Sequence, residues 1–189
     1  MNTSQHDSKT PDRHDAAVAG LWRFACSLYG HAAVAEACIR AQDEYAVDIN
    51  LALFAAWLAQ RGEALTEARA RLAMDACALW RRDVIAPLRT RRRAWRDSAE
   101  RRVDYEAIKA LEIAAEREQL RRLACLSESA AWARGGGEVA RGQGAARLPA
   151  NLRCVAQCHG VAPEALHALL AALREADGEP GENGAARGA

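Results

Sequence analysis

Apolar residues recur along this chain at steps of three and four, the spacing that gathers side chains on one face of an α-helix. Leu21, Phe24, Ala25 and Leu28 keep that spacing, and Trp22, Cys26 and Tyr29 add a second stripe. A helix over 16–29, buried on more than one side, is expected, with Gly30 able to end it in the left-handed conformation. Val34, Cys38, Ala41 and Tyr45 predict a second helix over 32–45. The stretch "DINLALFAAWL", from Asp48 to Leu58, opens polar and then runs apolar without a break, which predicts a third helix built for burial and ending near Gly62.

A long helical stretch is predicted over 66–98, where Ala73, Cys77, Trp80, Val84, Leu88 and Trp95 hold one line and Arg91 fills a gap in it. Pro87 interrupts that stretch. Proline has no amide proton and its ring clashes with the carbonyl four residues back, here Asp83, so a kink or two helices in near-line are expected. The charged segment "DYEAIKALEIAAEREQLRRLACL" predicts a partly solvated helix over 104–126, supported by Glu106 with Lys109 and Glu118 with Arg122. Residues 131–149 are rich in Gly, Ala and Arg and read as a flexible linker. Two short helices within 150–176 form a hairpin, the second carrying Leu166, Leu169, Leu170 and Leu173. Residues 1–15 and 177–189 read as disordered tails, and the helical bundle occupies 16–130. The fold class is therefore all-α: a bundle of about five main helices plus a C-terminal helical hairpin that docks on it or flanks it.

Composition agrees with that reading, since Ala and Leu dominate while β-branched and aromatic residues are sparse. The net charge of +1 gives no global attraction to nucleic acid or to an anionic membrane. The apolar run that begins at Leu51 is far shorter than the ~20 residues a bilayer span needs. The polar N-terminus has no apolar signal segment, so a cytoplasmic protein with reduced thiols is expected. Cys26, Cys38, Cys77 and Cys125 sit within apolar helical patterns, as small hydrophobes do.

Asp48 stands just before the apolar run, where its carboxylate can accept the free amides of the first turn. Asn50 shares a face with Leu53, Phe54 and Trp57. A buried amide needs partners, so Asp48 and Asn50 read as a polar clasp, with a ligand contact at Asn50 as the alternative. Arg82, Arg89, Arg93 and Arg96 fall on one helical stripe. That stripe suits phosphates, or it pairs with the acidic helix that follows, which offers Glu106, Glu112, Glu116 and Glu118. Cys154, Cys158 and His159 do not have zinc or haem spacing, and "VAQCHGVAPEALHALL" has a helix-turn-helix outline whose second helix offers few groups able to reach a base. No catalytic, phosphate-loop or dinucleotide motif is present, so no catalytic residue, metal or cofactor is expected.

In their order and spacing, "LWRFACSLYG", "VAEACIRAQ", "DINLALFAAWL", "WRRDVIAPLRTRRRAWR" and "LEIAAERE" resemble a proteobacterial family of short helical proteins, domain-of-unknown-function family 2390. The resemblance covers about Leu21 to Leu126, and this chain has Ala32 and Ala33 where that family often has Pro-Gly. It implies an all-helical fold and a proteobacterial cytoplasm, and it carries over no activity. The leading expectation is a non-enzymatic interaction module that binds a protein partner or itself through an apolar helix face. The alternatives are a nucleic-acid-associated protein using the arginine stripe, and an enzyme with a pocket near Asn50.

Overall fold

The computed structural model describes residues 13–136 and 144–178, the latter with side chains from residue 147 onward. The described residues form an all-α fold without strands. Helix α1 spans Arg13–Tyr29, α2 Ala32–Tyr45, α3 Ile49–Gln60, α4 Glu67–Trp80, α5 Ala86–Trp95 and α6 Arg102–Ser127. The short α7 (Ala130–Gly135) follows, and α8 (Gly144–Cys158) and α9 (His167–Gly178) form the C-terminal hairpin. The expected linker is thus interrupted: α7 occupies its first residues and α8 starts six residues before 150, with Pro149 inside it. Of the expected tails, residues 1–12 and 179–189 lie outside the described residues, as do 137–143 of the linker, while 13–15 and 177–178 are helical, belonging to α1 and α9.

Helix α3 is the centre, with every residue from Ile49 to Ala59 buried. It is apolar on all sides because α1, α2, α6 and α8 all pack on it. Its C-terminal turn closes through Gly62, whose positive φ of 72° any side chain would resist. The hairpin docks on this centre. Asn151 of α8 donates its amide hydrogens to the carbonyls of Ala55 and Glu63, both at 3.0 Å, and accepts the Leu65 amide at 2.8 Å. One side chain thereby satisfies one backbone group within α3 and two in the segment that follows it. Leu152, Val155 and Ala156 complete the seam as fully buried neighbours.

Two expectations need correction. Cys26 and Tyr29 are exposed and Trp22 is only half-buried, so α1 is buried on one side, through Ala17, Leu21, Ala25 and Leu28. The remaining stripe of α1 instead faces outward, with the Arg117 guanidinium covering the Trp22 ring. The second correction concerns the register before Pro87, where Val84 was expected on the buried line. Between α4 and α5 the chain widens into one π turn, Arg81–Ile85, in which the Ala86 amide donates to the Arg81 carbonyl. The wide turn inserts one residue into the helical register just before the proline. Ile85, not Val84, therefore enters the core, and Arg89 and Arg92 turn toward α6.

Candidate functional site

The polar opening of α3 is the hub of a buried network. Asp48 caps the helix: its Oδ1 accepts the amides of Asn50 at 3.1 Å and Leu51 at 3.3 Å. Its Oδ2 accepts Gln119 Nε2 at 2.6 Å and Arg81 Nε at 3.0 Å. Gln119, on α6 and 1% exposed, closes a ring by accepting Asn50 Nδ2 at 2.8 Å. These bonds fix the orientation of the Gln119 amide, because Asp48 can only accept and Asn50 Nδ2 can only donate.

His159 extends the ring to the C-terminal hairpin. The Asp48 backbone amide, a donor only, lies 3.1 Å from His159 Nε2, so that nitrogen accepts in this bond. The proton sits on Nδ1, which donates to the Val155 carbonyl at 2.9 Å. Cys77 lies against the same hub, where burial first and the Asp48 charge second push its thiol up to about 12. Every group around Asp48 is engaged by another, the arrangement that gives a buried polar cluster a unique geometry.

A second cluster lies between α5 and α6. Glu112, 4% exposed, accepts Arg89 Nε at 2.9 Å and also bonds Arg92. Glu116 pairs with the other arm of Arg89. Burial opposes ionisation of Glu112, yet the bonds from Arg92 and Arg89 outweigh it and hold the carboxyl below its ordinary range. Glu116 goes the other way: burial raises it and Arg89 offsets only part of that rise. Nearby, the Cys38 thiol is pushed up to about 12 by burial while hydrogen-bonding Tyr29.

The four arginines read as one stripe are placed in four settings. Arg82 lies in the π turn and bonds its neighbour Asp83 at 2.7 Å. Arg89 is half-buried against Glu112 and Glu116, Arg93 ties α5 to Asp43 of α2, and Arg96 is exposed at the end of α5. The extra residue in the π turn takes Arg82 off the line of the others. Elsewhere arginine covers tryptophan: each of the five tryptophans has a guanidinium over its ring, Arg122 over Trp80 at 4.3 Å being the nearest. A cavity of about 560 Å³ opens between α1, α3, α8 and α9, lined by Phe24, Leu28, Leu148 and Leu173 among others, and no member of the Asp48 network lines it.

The sequence did not mark Gln119, Arg81, His159 or Asn151 as partners in these clusters. A signal exists for two of them: Gln119 and Asn151 each interrupt an otherwise apolar face, beside Leu123 on α6 and Val155 on α8.

The family described as "Protein of unknown function (DUF2390)" matches residues 20–123, from α1 nearly to the end of α6. The chain belongs to DUF2390. No curated protein and no solved structure matches it. The DUF2390 match contains Asp48, Asn50, Arg81, Gln119 and the Glu112 ion-pair cluster, and it ends before the C-terminal hairpin, which supplies Asn151 on α8 and His159 just after it.

The outer side of α6 has a different character. Val103 is 83% exposed, Leu111 54% and Ile113 48%, and the exposed Ala107, Ala110 and Ala114 lie between them. Val103, Ala107, Ala110 and Ala114 recur at helical spacing along one line, opposite the side on which Glu112 meets α5. None of the described helices is long and apolar enough to cross a membrane.

Proposed function

We propose that this DUF2390 protein is a non-enzymatic helical interaction module that binds a protein partner, or a second copy of itself, through the outer face of α6. The observation that carries this reading is the apolar outer side of α6, where Val103, Ala107, Ala110 and Ala114 form an exposed line and Leu111 and Ile113 stand exposed on its two flanks. Isolated exposed aliphatics are ordinary, whereas a contiguous apolar stripe along one helix suits a groove or a facing helix. The polar clusters support the same reading from the other direction. Asp48, Asn50, Gln119 and Arg81 bond one another, so they serve as scaffold that holds α6 against α3 and α4. Arg82, Arg89 and Arg93 each meet a carboxylate of the same chain, which weakens the case for phosphate binding. Free cysteines suit a reducing compartment, and we place the protein in the cytoplasm.

The test is mass against concentration, by light scattering and by capture from the producing cell with nuclease present. Substitution of Val103, Leu111 and Ile113 by Glu should abolish the association while the helical circular dichroism stays unchanged. Association that survives the triple substitution, or that disappears with nuclease, would refute the reading.

A further inference from the structure

Successive residues of an α-helix are turned by about 100°, so Glu106, Ala110, Ile113 and Arg117 of α6 fall within one narrow stripe. All four are exposed. The stripe shares Ala110 with the apolar line and runs along its Ile113 flank. Its order is an acid, a small residue, a large aliphatic residue and a base. Glu106 and Arg117 are centred on the point between Leu111 and Glu112, and Ala110 and Ile113 are centred on that same point.

That shared centre selects the occupant. A two-fold axis there, with a second copy of α6 running antiparallel, brings Glu106 opposite Arg117 of the partner subunit and Ala110 opposite the partner subunit's Ile113. One register thus matches charge with opposite charge and a large side chain with the shallow place left by a small one. Parallel docking in register would set glutamate against glutamate and arginine against arginine.

Both charges are placed to take part. Glu106 has a side chain 59% exposed and meets Lys109 at 3.8 Å. Arg117 has its guanidinium over the Trp22 ring at 4.9 Å, a contact that anchors it on the outer surface without using its hydrogen-bond donors.

We propose that the protein forms a symmetric antiparallel dimer through α6, with Glu106 of each copy paired to Arg117 of the partner subunit. This rests on the reading of the outer side of α6 as a contact face and names its occupant as a second copy of the chain. A seam of one helix from each copy is smaller than a standard interface, so the dimer is weak and its population follows concentration.

Sedimentation equilibrium of the full chain, from micromolar to near-millimolar concentration, tests this. The native chain should pass from monomer to dimer. Glu106→Arg and Arg117→Glu should each weaken the dimer roughly tenfold, because each turns two attractive pairs into repulsive ones. An equal mixture of the two variants should recover the native affinity, as should the chain carrying both substitutions. Both side chains are exposed, so the helical circular dichroism should stay unchanged. A dimer indifferent to either reversal, or a mixture that associates no better than each variant alone, would overturn the proposal. A monomer at every concentration would overturn it too. In that case a photo-reactive residue at position 110 that crosslinks one other protein in the producing cell would leave α6 a contact face, and no crosslink would remove both readings.

Discussion

Asn50 of α3 donates to Gln119 of α6 at 2.8 Å across 69 positions of sequence, and Gln119 in turn donates to Asp48 at 2.6 Å. One glutamine thus satisfies both polar residues at the mouth of the central helix. The polarity of that opening has a structural cause: it fixes how α6 sits on α3, and α6 carries the exposed apolar line.

Replacing Gln119 by Met keeps its approximate volume and removes both bonds, leaving Asn50 Nδ2 without its partner and Asp48 Oδ2 with Arg81 alone. An unsatisfied buried polar group costs about 1–3 kcal/mol, so a loss of about 2–4 kcal/mol is expected in urea unfolding. A change within about 0.5 kcal/mol would mean that the ring contributes nothing to stability.

His159→Ala removes the acceptor of the Asp48 amide and the tie between hairpin and cap. The expected cost is about 1–3 kcal/mol, with faster hydrogen exchange at the Asp48 amide. Unchanged protection at that amide would show that the imidazole is not its partner.

Glu112 gives a pH dependence of defined sign. Its carboxyl is held below the ordinary range in the folded chain, so it contributes stability above the unfolded value, and that contribution is lost as pH falls through the folded one. Glu112→Gln leaves two half-buried arginines less well paired, and at neutral pH it is expected to cost roughly 2–4 kcal/mol. The difference from the native chain should shrink as the pH drops below about 4, the usual carboxylate range. A gap independent of pH between 3 and about 7 would contradict this.

Ala46 ends α2 at φ 55°, in the left-handed region, with its amide on the Gln42 carbonyl at 3.1 Å. A side chain is strained there and glycine is not, so Ala46→Gly should stabilise the fold by up to about 1 kcal/mol in thermal or urea unfolding. Destabilisation of that size would show that the strain is absent.

What was legible in the sequence was local. The period of three and four places Leu21, Val34 and Leu53 correctly, because helical register is set by neighbours. The Asp48 cap was readable for the same reason, since its acceptors and donors lie within three residues. Register from Arg81 onward was not readable. A kink and a π turn answer the same steric conflict, and only the second inserts a residue and brings Ile85 rather than Val84 inward. Pairings such as Asp48 with His159, 111 positions apart, depend on where α8 docks, which no local pattern records. The arginine series looked continuous because periodicity counts residue types and is blind to the carboxylates that α2 and α6 bring to it.

The most direct test of α6 as a contact surface is a photo-reactive residue in place of Ala110, at the middle of the apolar line, compared with one in place of the exposed Arg153 on α8. A contact face on α6 predicts one dominant crosslinked species from position 110, either a second copy or a single partner, and little from position 153. Equal crosslinking from both positions, or none from position 110 at the protein's natural abundance, would contradict it.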